Sequence, residues 1–596
     1  MTQKVHNASY AAFALFAIGI LPAFSQGTIA NSYIQHNLVS DIAGMADFTD
    51  SHLVNPWGIS ESASSPFWIS NQGSATATVY NGSGVASATV ASVPNGATKQ
   101  SLTGPTGQVQ NSSTGFLLSN GKAASFIFAT QDGTISAWNG GTAAGIMVDN
   151  SSAGAVYTGL ALNAAGPTLY AANFHSGKID VFDTNFHATT ASGGFTDPNL
   201  PSGYAPYNIW NLGGKLYVTY ALQNSNKNQP VSAAGNGLVD VFDTNGNLLQ
   251  RLVSNGPLNA PWGVAIAPAG FGAFGGALLV GNFADGTINA FNLTTGSSLG
   301  ALQTQTGTPI VIPGLWALVF GNGKSGGDPN TLYFTAGIQG QLHGLLGSIA
   351  PPAAVTSLSN GASAGAATAI APGEVVLVNG GTIGPSPSVS GTIPTSGSMA
   401  TTLSTTTVTF NGTPAPILFA SASQTGVVVP YEIAGSSTAS VVVSYRGQTA
   451  AAFSIPVAAS APGLFTSAET GSGEVVAFNQ DGSLNSTSNP AARGSVAVLF
   501  ATGDGMEDPS VLPAMAWRTR PGRTASSTTT SSARQSCRSQ PPSAAKPRRC
   551  CSPARRQVCW LAYCRWKWWF PPRPVPAPSP WCLPSAARAA ASRVRP

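Results

Sequence analysis

Ala260-Pro261-Trp262-Gly263-Val264-Ala265, Val280-Gly281-Asn282, the turn Phe283-Ala284-Asp285-Gly286, and Thr287-Ile288-Asn289-Ala290-Phe291 together decide the fold. They read as an inner strand from Gly263 to Ala267, a second from Ala277 to Asn282, a third from Thr287 to Asn292 and an outer one from Ser298 to Gln303. Short runs rich in β-branched and aromatic residues, bounded by Gly, Asn and Asp, are strand signals. Asp285-Gly286 supplies the positive φ of a hairpin turn. The phrase occurs six times between about residue 50 and residue 350, roughly every fifty residues. Clear copies open at Pro56-Trp57-Gly58-Ile59 and Pro206-Tyr207-Asn208-Ile209, looser ones at Thr106-Gly107, Thr158-Gly159-Leu160 and Trp316-Ala317-Leu318. A fixed period built only of strand and turn predicts a six-bladed β-propeller over residues 33–349, one four-stranded blade per repeat. Third strands are expected to end on Tyr80, Trp138, Phe182, Phe242, Phe291 and Leu345, where large side chains can fill the space between blades.

The ends predict how the ring closes. After Leu345 the chain runs into Gly347, Pro351 and Pro352 with no evident fourth strand, while the extended segment Tyr33 to Val39 precedes the first blade unassigned. The N-terminal strand is therefore expected to complete blade six and cover an otherwise open edge.

The blade-five phrase resembles the NHL class of six-bladed propellers. Residues 32–349 as a whole resemble a family of exported bacterial propellers of undetermined function. The shared motifs are structural, so the resemblance implies the fold and transfers no catalytic residue.

Beyond Pro352 the period changes to short Val-, Thr- and Ala-rich runs: Glu374 to Val378, Thr405 to Phe410, Gly426 to Val429, Ala439 to Ser444 and Ala451 to Ile455. These predict an Ig-like β-sandwich over residues 350–505, an all-β chain throughout. Asn360-Gly361-Ala362-Ser363, Ala371-Pro372-Gly373-Glu374-Val375-Val376, and Asn479-Gln480-Asp481-Gly482-Ser483-Leu484-Asn485 running to Leu499-Phe500-Ala501-Thr502-Gly503 resemble a C-terminal module of exported acidobacterial proteins.

Charge divides the chain in two. Residues 1–505 hold 10 Lys and Arg against 19 Asp and Glu, a net of −9, whereas residues 506–596 hold 16 against 2, a net of +14. All six Cys lie in that last segment, so a Cys-free body rests on its sheets and core alone. The basic tail invites a nucleic-acid reading, but its codons argue otherwise. Trp566-Lys567-Trp568-Trp569-Phe570 is encoded TGG AAR TGG TGG TTY; read from the third base of each codon it becomes Glu, Val or Met, Val, Val. With permissible codons the same shift turns residues 537–571 into a near repeat of Val408 to Ala420 and Val427 to Pro430. The tail is read as a frameshift near Met506 that truncates the second module, with a disordered product and no nucleic-acid partner.

At the N-terminus Lys4, the apolar stretch Tyr10 to Leu21 and Ala23-Phe24-Ser25 before Gln26 read as a signal peptide over residues 1–25. Later apolar runs are broken by Gly, Ser and Pro within a few residues, so no further transmembrane segment is expected. The expected location is secreted, periplasmic or on the cell surface, and the expected state a monomer.

For a site, recurrence is the only guide. Asn71, Asn173 and Asn282 end second strands, with Asp132, His175 and Asp285 in the turns that follow. They form either a ring of oxygen donors or a set of turn caps, the latter being the favoured reading. Trp57, Tyr207, Trp262 and Trp316 open inner strands and either rim the channel, where aromatic faces suit sugars or peptides, or pack beneath the loops. Gly361-Ala362-Ser363-Ala364-Gly365 has hydrolase spacing but no strand-to-helix context, and Asp243-Thr244-Asn245-Gly246-Asn247 reads as a turn and not a calcium loop. No catalytic residue and no cofactor is assigned. The first expectation is a non-enzymatic binding or scaffold propeller with a protein or glycan partner. The second is a calcium-dependent, lactonase-like hydrolase or lyase, disfavoured because Glu61 is the only Glu between Thr49 and Ala350.

Overall fold

The computed structural model describes residues 31–96, 104–394 and 397–506 together with a two-residue strand at Ser526–Ser527. The signal-peptide reading and almost all of the tail lie outside the described residues.

Five sheets of four antiparallel strands follow one another in the chain, opening on Pro56–Ser60, Pro105–Gln110, Tyr157–Asn163, Tyr204–Leu212 and Pro261–Ile266. The sixth sheet joins Leu315–Phe320, Leu332–Ala336 and Leu345–Ala350 to the N-terminal strand Ile34–Ser40, with Phe48–Thr49 added in parallel beyond it. Each opening strand packs against the next and the sixth against the first, which closes the ring of a β-propeller. Blade five matches the sequence reading to within two residues at each strand end, as Pro261–Ile266, Leu278–Asn282, Ile288–Phe291 and Ser298–Ala301. Ring closure also matches: Ile34 pairs with Ala350 and Ser40 with Leu345. Tyr33 adds a clasp, its ring 4.6 Å from Phe271 and its hydroxyl donating to the Phe271 carbonyl at 2.9 Å.

One assignment is corrected. Tyr80, Trp138, Phe182, Phe242 and Phe291 do end third strands, but Leu345 begins one. The loop before it, residues 337–344, is long enough to delay the strand, and Leu345 takes its place in the core at the opposite end. Between blades the cores are aromatic, as where Trp68 stacks on Phe126 at 4.2 Å.

After Ala350 two further sheets share one apolar core. One orders Ala354–Asn360, Val375–Gly381, Gln424–Val428, Ile417–Ala420 and Val389–Ser390, and the other centres on Thr406–Phe410 and Thr438–Tyr445. Val376, Val378 and Val427 from the first meet Val408, Phe410 and Val441 from the second. Glu374 is sealed beneath, accepting from Asn360 Nδ2 and from the Ala371 N–H, both at 2.7 Å. Among the described residues no helix is long and apolar enough to cross a membrane.

Candidate functional site

The inner strands share a defect that builds the centre of the ring. In all six, pairing with the second strand slips near the start of the inner strand: after the first residue at Pro56, Pro105, Tyr157, Pro261 and Leu315, and after the third, Pro206, in the fourth blade. A bulge leaves one residue out of the ladder and re-aims its side chain. Those next residues are Trp57, Thr106, Thr158, Tyr207, Trp262 and Trp316. The four aromatics come from four blades yet belong to one buried cluster, and side chains so far apart in the ring meet only at its axis. Trp57 stacks on Trp316 with centroids 3.4 Å apart, and Trp262 stands edge-on to both at 6.0 and 5.8 Å. Tyr207 lies 6.2 Å from Trp316, and Phe283 covers it at 4.2 Å. All four predicted aromatics are at most 1% exposed. They form the floor of the face and not its rim, because the bulge turns them inward.

Glycine beside the aromatic makes this packing possible. A Cβ on Gly58 would lie 2.6 Å from the Thr106 carbonyl oxygen, and one on Gly107 2.5 Å from the Leu160 nitrogen, so adjacent inner strands approach through the missing side chain.

The recurrent asparagines are latches. Asn282 Nδ2 donates to the Pro257 carbonyl at 2.7 Å and to Asp285 Oδ1 at 3.2 Å, while its Oδ1 accepts from the Asn259 N–H. Asn173 donates to Asp180 Oδ2 at 2.9 Å and accepts from the Val156 and Ser176 N–H groups. Asn71 donates to Thr76 and Thr78. Asp285 is held by the Thr287 hydroxyl at 2.7 Å and Asp132 by the Gly96 N–H at 2.6 Å and the Thr130 hydroxyl. His175 is half-buried, and its carbonyl accepts from Gln223 Nε2. Each carboxylate named here is thus engaged within its own blade or its neighbour.

Over the aromatic floor lies a chain of amides that the sequence reading did not select. Trp316 Nε1 donates to Asn55 Oδ1 at 3.0 Å; Asn55 Nδ2 donates to Gln72 Oε1 at 2.7 Å and to Gln341 Oε1 at 3.3 Å; Gln72 Nε2 donates to Gln131 Oε1 at 3.0 Å. The available signal was position: Gln72 and Gln131 directly follow the last residues of second strands, Asn71 and Thr130. On the same face His343 Nδ1 lies 2.7 Å from Asp41 Oδ2, and the Gly344 N–H donates to Asp41 Oδ1 at 2.8 Å.

Chemically this is a hydrogen-bonding face of amides on a hydrophobic floor, with the His343 and Asp41 pair on the same face. A cation in the channel needs several oxygen ligands, and the channel wall at this end is indole and phenol. Among the described residues no three His, Cys, Asp or Glu gather around one point. Ser363 sits in a turn whose N–H groups are capped by Asn360 Oδ1, and Asp243 Oδ1 likewise accepts from the Asn245 and Asn247 N–H groups.

Comparison with known proteins gives relatives of undetermined role. The chain is 34% identical over 365 residues to the uncharacterized protein R648 of Acanthamoeba polyphaga mimivirus, covering 58% of this chain and 87% of that one. It is 32% identical over 325 residues to the uncharacterized protein L690 of the same virus, covering 84% of it. No protein-family model matches. Among solved structures, virginiamycin B lyase from Staphylococcus aureus aligns over 54% of this chain and 99% of its own, at 11% identity and a TM-score of 0.32, too low to carry any functional argument.

Proposed function

The chain belongs to the same family as the mimivirus proteins R648 and L690, and from there we propose that it is an exported, non-enzymatic binding protein, a six-bladed NHL-like propeller of the exported bacterial kind that presents one face to a protein or glycan partner. The second module serves as an Ig-like spacer or anchor, truncated by the frameshift read near Met506. One observation carries the proposal: the ring axis is filled by Trp57, Trp262, Trp316 and Tyr207, so the surface left for recognition is the amide layer above them. Gln72 and Gln341, the half-buried amides of this layer, both donate and accept, which suits hydroxyl or peptide groups, while buried Asn55 holds them in place.

A second reading, a calcium-dependent hydrolase or lyase, draws on the His343 and Asp41 pair, since an imidazole oriented by a carboxylate is a usable base. A thermal melt with EDTA and then with added calcium separates the two. The binding reading expects no calcium-dependent shift and retention of a partner or glycan that Gln341→Ala weakens. A shift of several degrees titrating with calcium and reversed by EDTA replaces it with the enzyme reading.

A further inference from the structure

The strand Thr438–Tyr445 turns back into Gln448–Thr449 through only Arg446 and Gly447, with Tyr445 paired to Gln448. Both turn residues have positive φ, 48° at Arg446 and 77° at Gly447. A two-residue turn of this kind favours Asn-Gly, because a left-handed backbone is strained for a residue with a long side chain. Strain kept where a better residue exists points to a use for the side chain.

That use lies across the junction between the two modules. Tyr445 and Arg446 line one cleft together with Gly82, Asp328 and Tyr333 of the propeller. The floor of the cleft is fixed by the Tyr333 hydroxyl, which donates to the Gly82 carbonyl at 3.1 Å, and Asp328 is oriented by the Asn330 N–H at 2.7 Å. Charge reaches across: burial raises the Tyr333 hydroxyl and Arg446 pulls it back down, while Tyr445, raised mainly by burial, feels Arg446, Asp328 and Asp47. A hairpin tip in open water would show none of this. Arg446 also lies over the Tyr445 ring, 5.4 Å from its centroid, which holds the guanidinium toward the propeller.

We propose that Arg446 seats the second module on the propeller, its positive charge facing Asp328 across the cleft, and that the strained turn persists for this contact. The seat is electrostatic and therefore weakens as salt rises. The only covalent restraint on the arrangement is the short connection through Pro351 and Pro352.

The test uses the full chain, with limited proteolysis of the 351–353 connection and small-angle scattering at low and high ionic strength. Arg446→Asn, which suits the turn better, should leave the second module folded by its own melt. It should also raise cleavage at the connection several-fold and enlarge the radius of gyration, as high salt does to the parent. Arg446→Lys keeps the charge and should behave as the parent, and Asp328→Asn added to Arg446→Asn should have no further effect. Unchanged cleavage and scattering in Arg446→Asn overturn the proposal, as does an Arg446→Lys variant that opens as far as Arg446→Asn.

Discussion

Trp57 and Trp316 stack with ring centroids 3.4 Å apart, although they lie in the first and sixth blades and meet only because the ring is closed. The indole of Trp316 is also anchored to Asn55 just ahead of blade one. Trp316→Ala should therefore act on closure as well as on the core, at a cost of about 3–5 kcal/mol for a buried Trp. Denaturant unfolding of the full chain checks it, and Trp57→Ala combined with Trp316→Ala should cost less than the sum of the two single changes.

The approach of blade one to blade two leaves no room at Gly58. With the Thr106 carbonyl oxygen 2.6 Å from the position a Cβ would take, Gly58→Ala must push two inner strands apart. The expected loss is about 1–3 kcal/mol. Gly145→Ala, where nothing lies within 4 Å and the backbone is not left-handed, should lose less.

Closure by the N-terminal strand predicts that deleting residues 27–45 sharply lowers the melting temperature, since it removes the pairing of Ile34–Ser40 with Leu345–Ala350 and the Tyr33 clasp together. An unchanged melt refutes the closure.

Glu61 supplies a pH dependence. Burial pushes its carboxyl from the ordinary 4.5 up to about 8, and its Oε2 has no hydrogen-bond partner. Between those values the folded state holds a proton that the unfolded chain releases, so stability falls as pH rises through that window. The propeller should melt a few degrees lower at the alkaline end. Glu61→Gln, neutral at every pH, should flatten the slope, leaving the parts due to Asp240, which burial pushes up to about 7, and Asp328, which burial also raises.

How much of this was legible in the sequence depended on whether a residue repeats. Strands, hairpin turns and the N-terminal closure could be read because Pro-Trp-Gly, Asn and Asp-Gly recur at a fixed spacing. The inward turn of Trp57, Tyr207, Trp262 and Trp316 could not, because a bulge is a mismatch between two strands and leaves no mark on either alone. The amide chain through Asn55, Gln72, Gln131 and Gln341 escaped for a related reason: Gln341 comes from the 337–344 loop, which has no counterpart in the other blades. Leu345 was misplaced by the same insertion.

The closing strand also sets an order of events. The Ser40 hydroxyl finds its acceptor, the Gly344 carbonyl, 304 positions further on. As the chain is made, Ile34–Ser40 emerges ahead of all six opening strands and waits unpaired until nearly the whole ring has followed. Such distant pairing is slow to form, and a waiting strand can be captured by a neighbouring molecule. The propeller thus matures only after its last blade is free, and a chaperone that shields one heptapeptide would govern its yield.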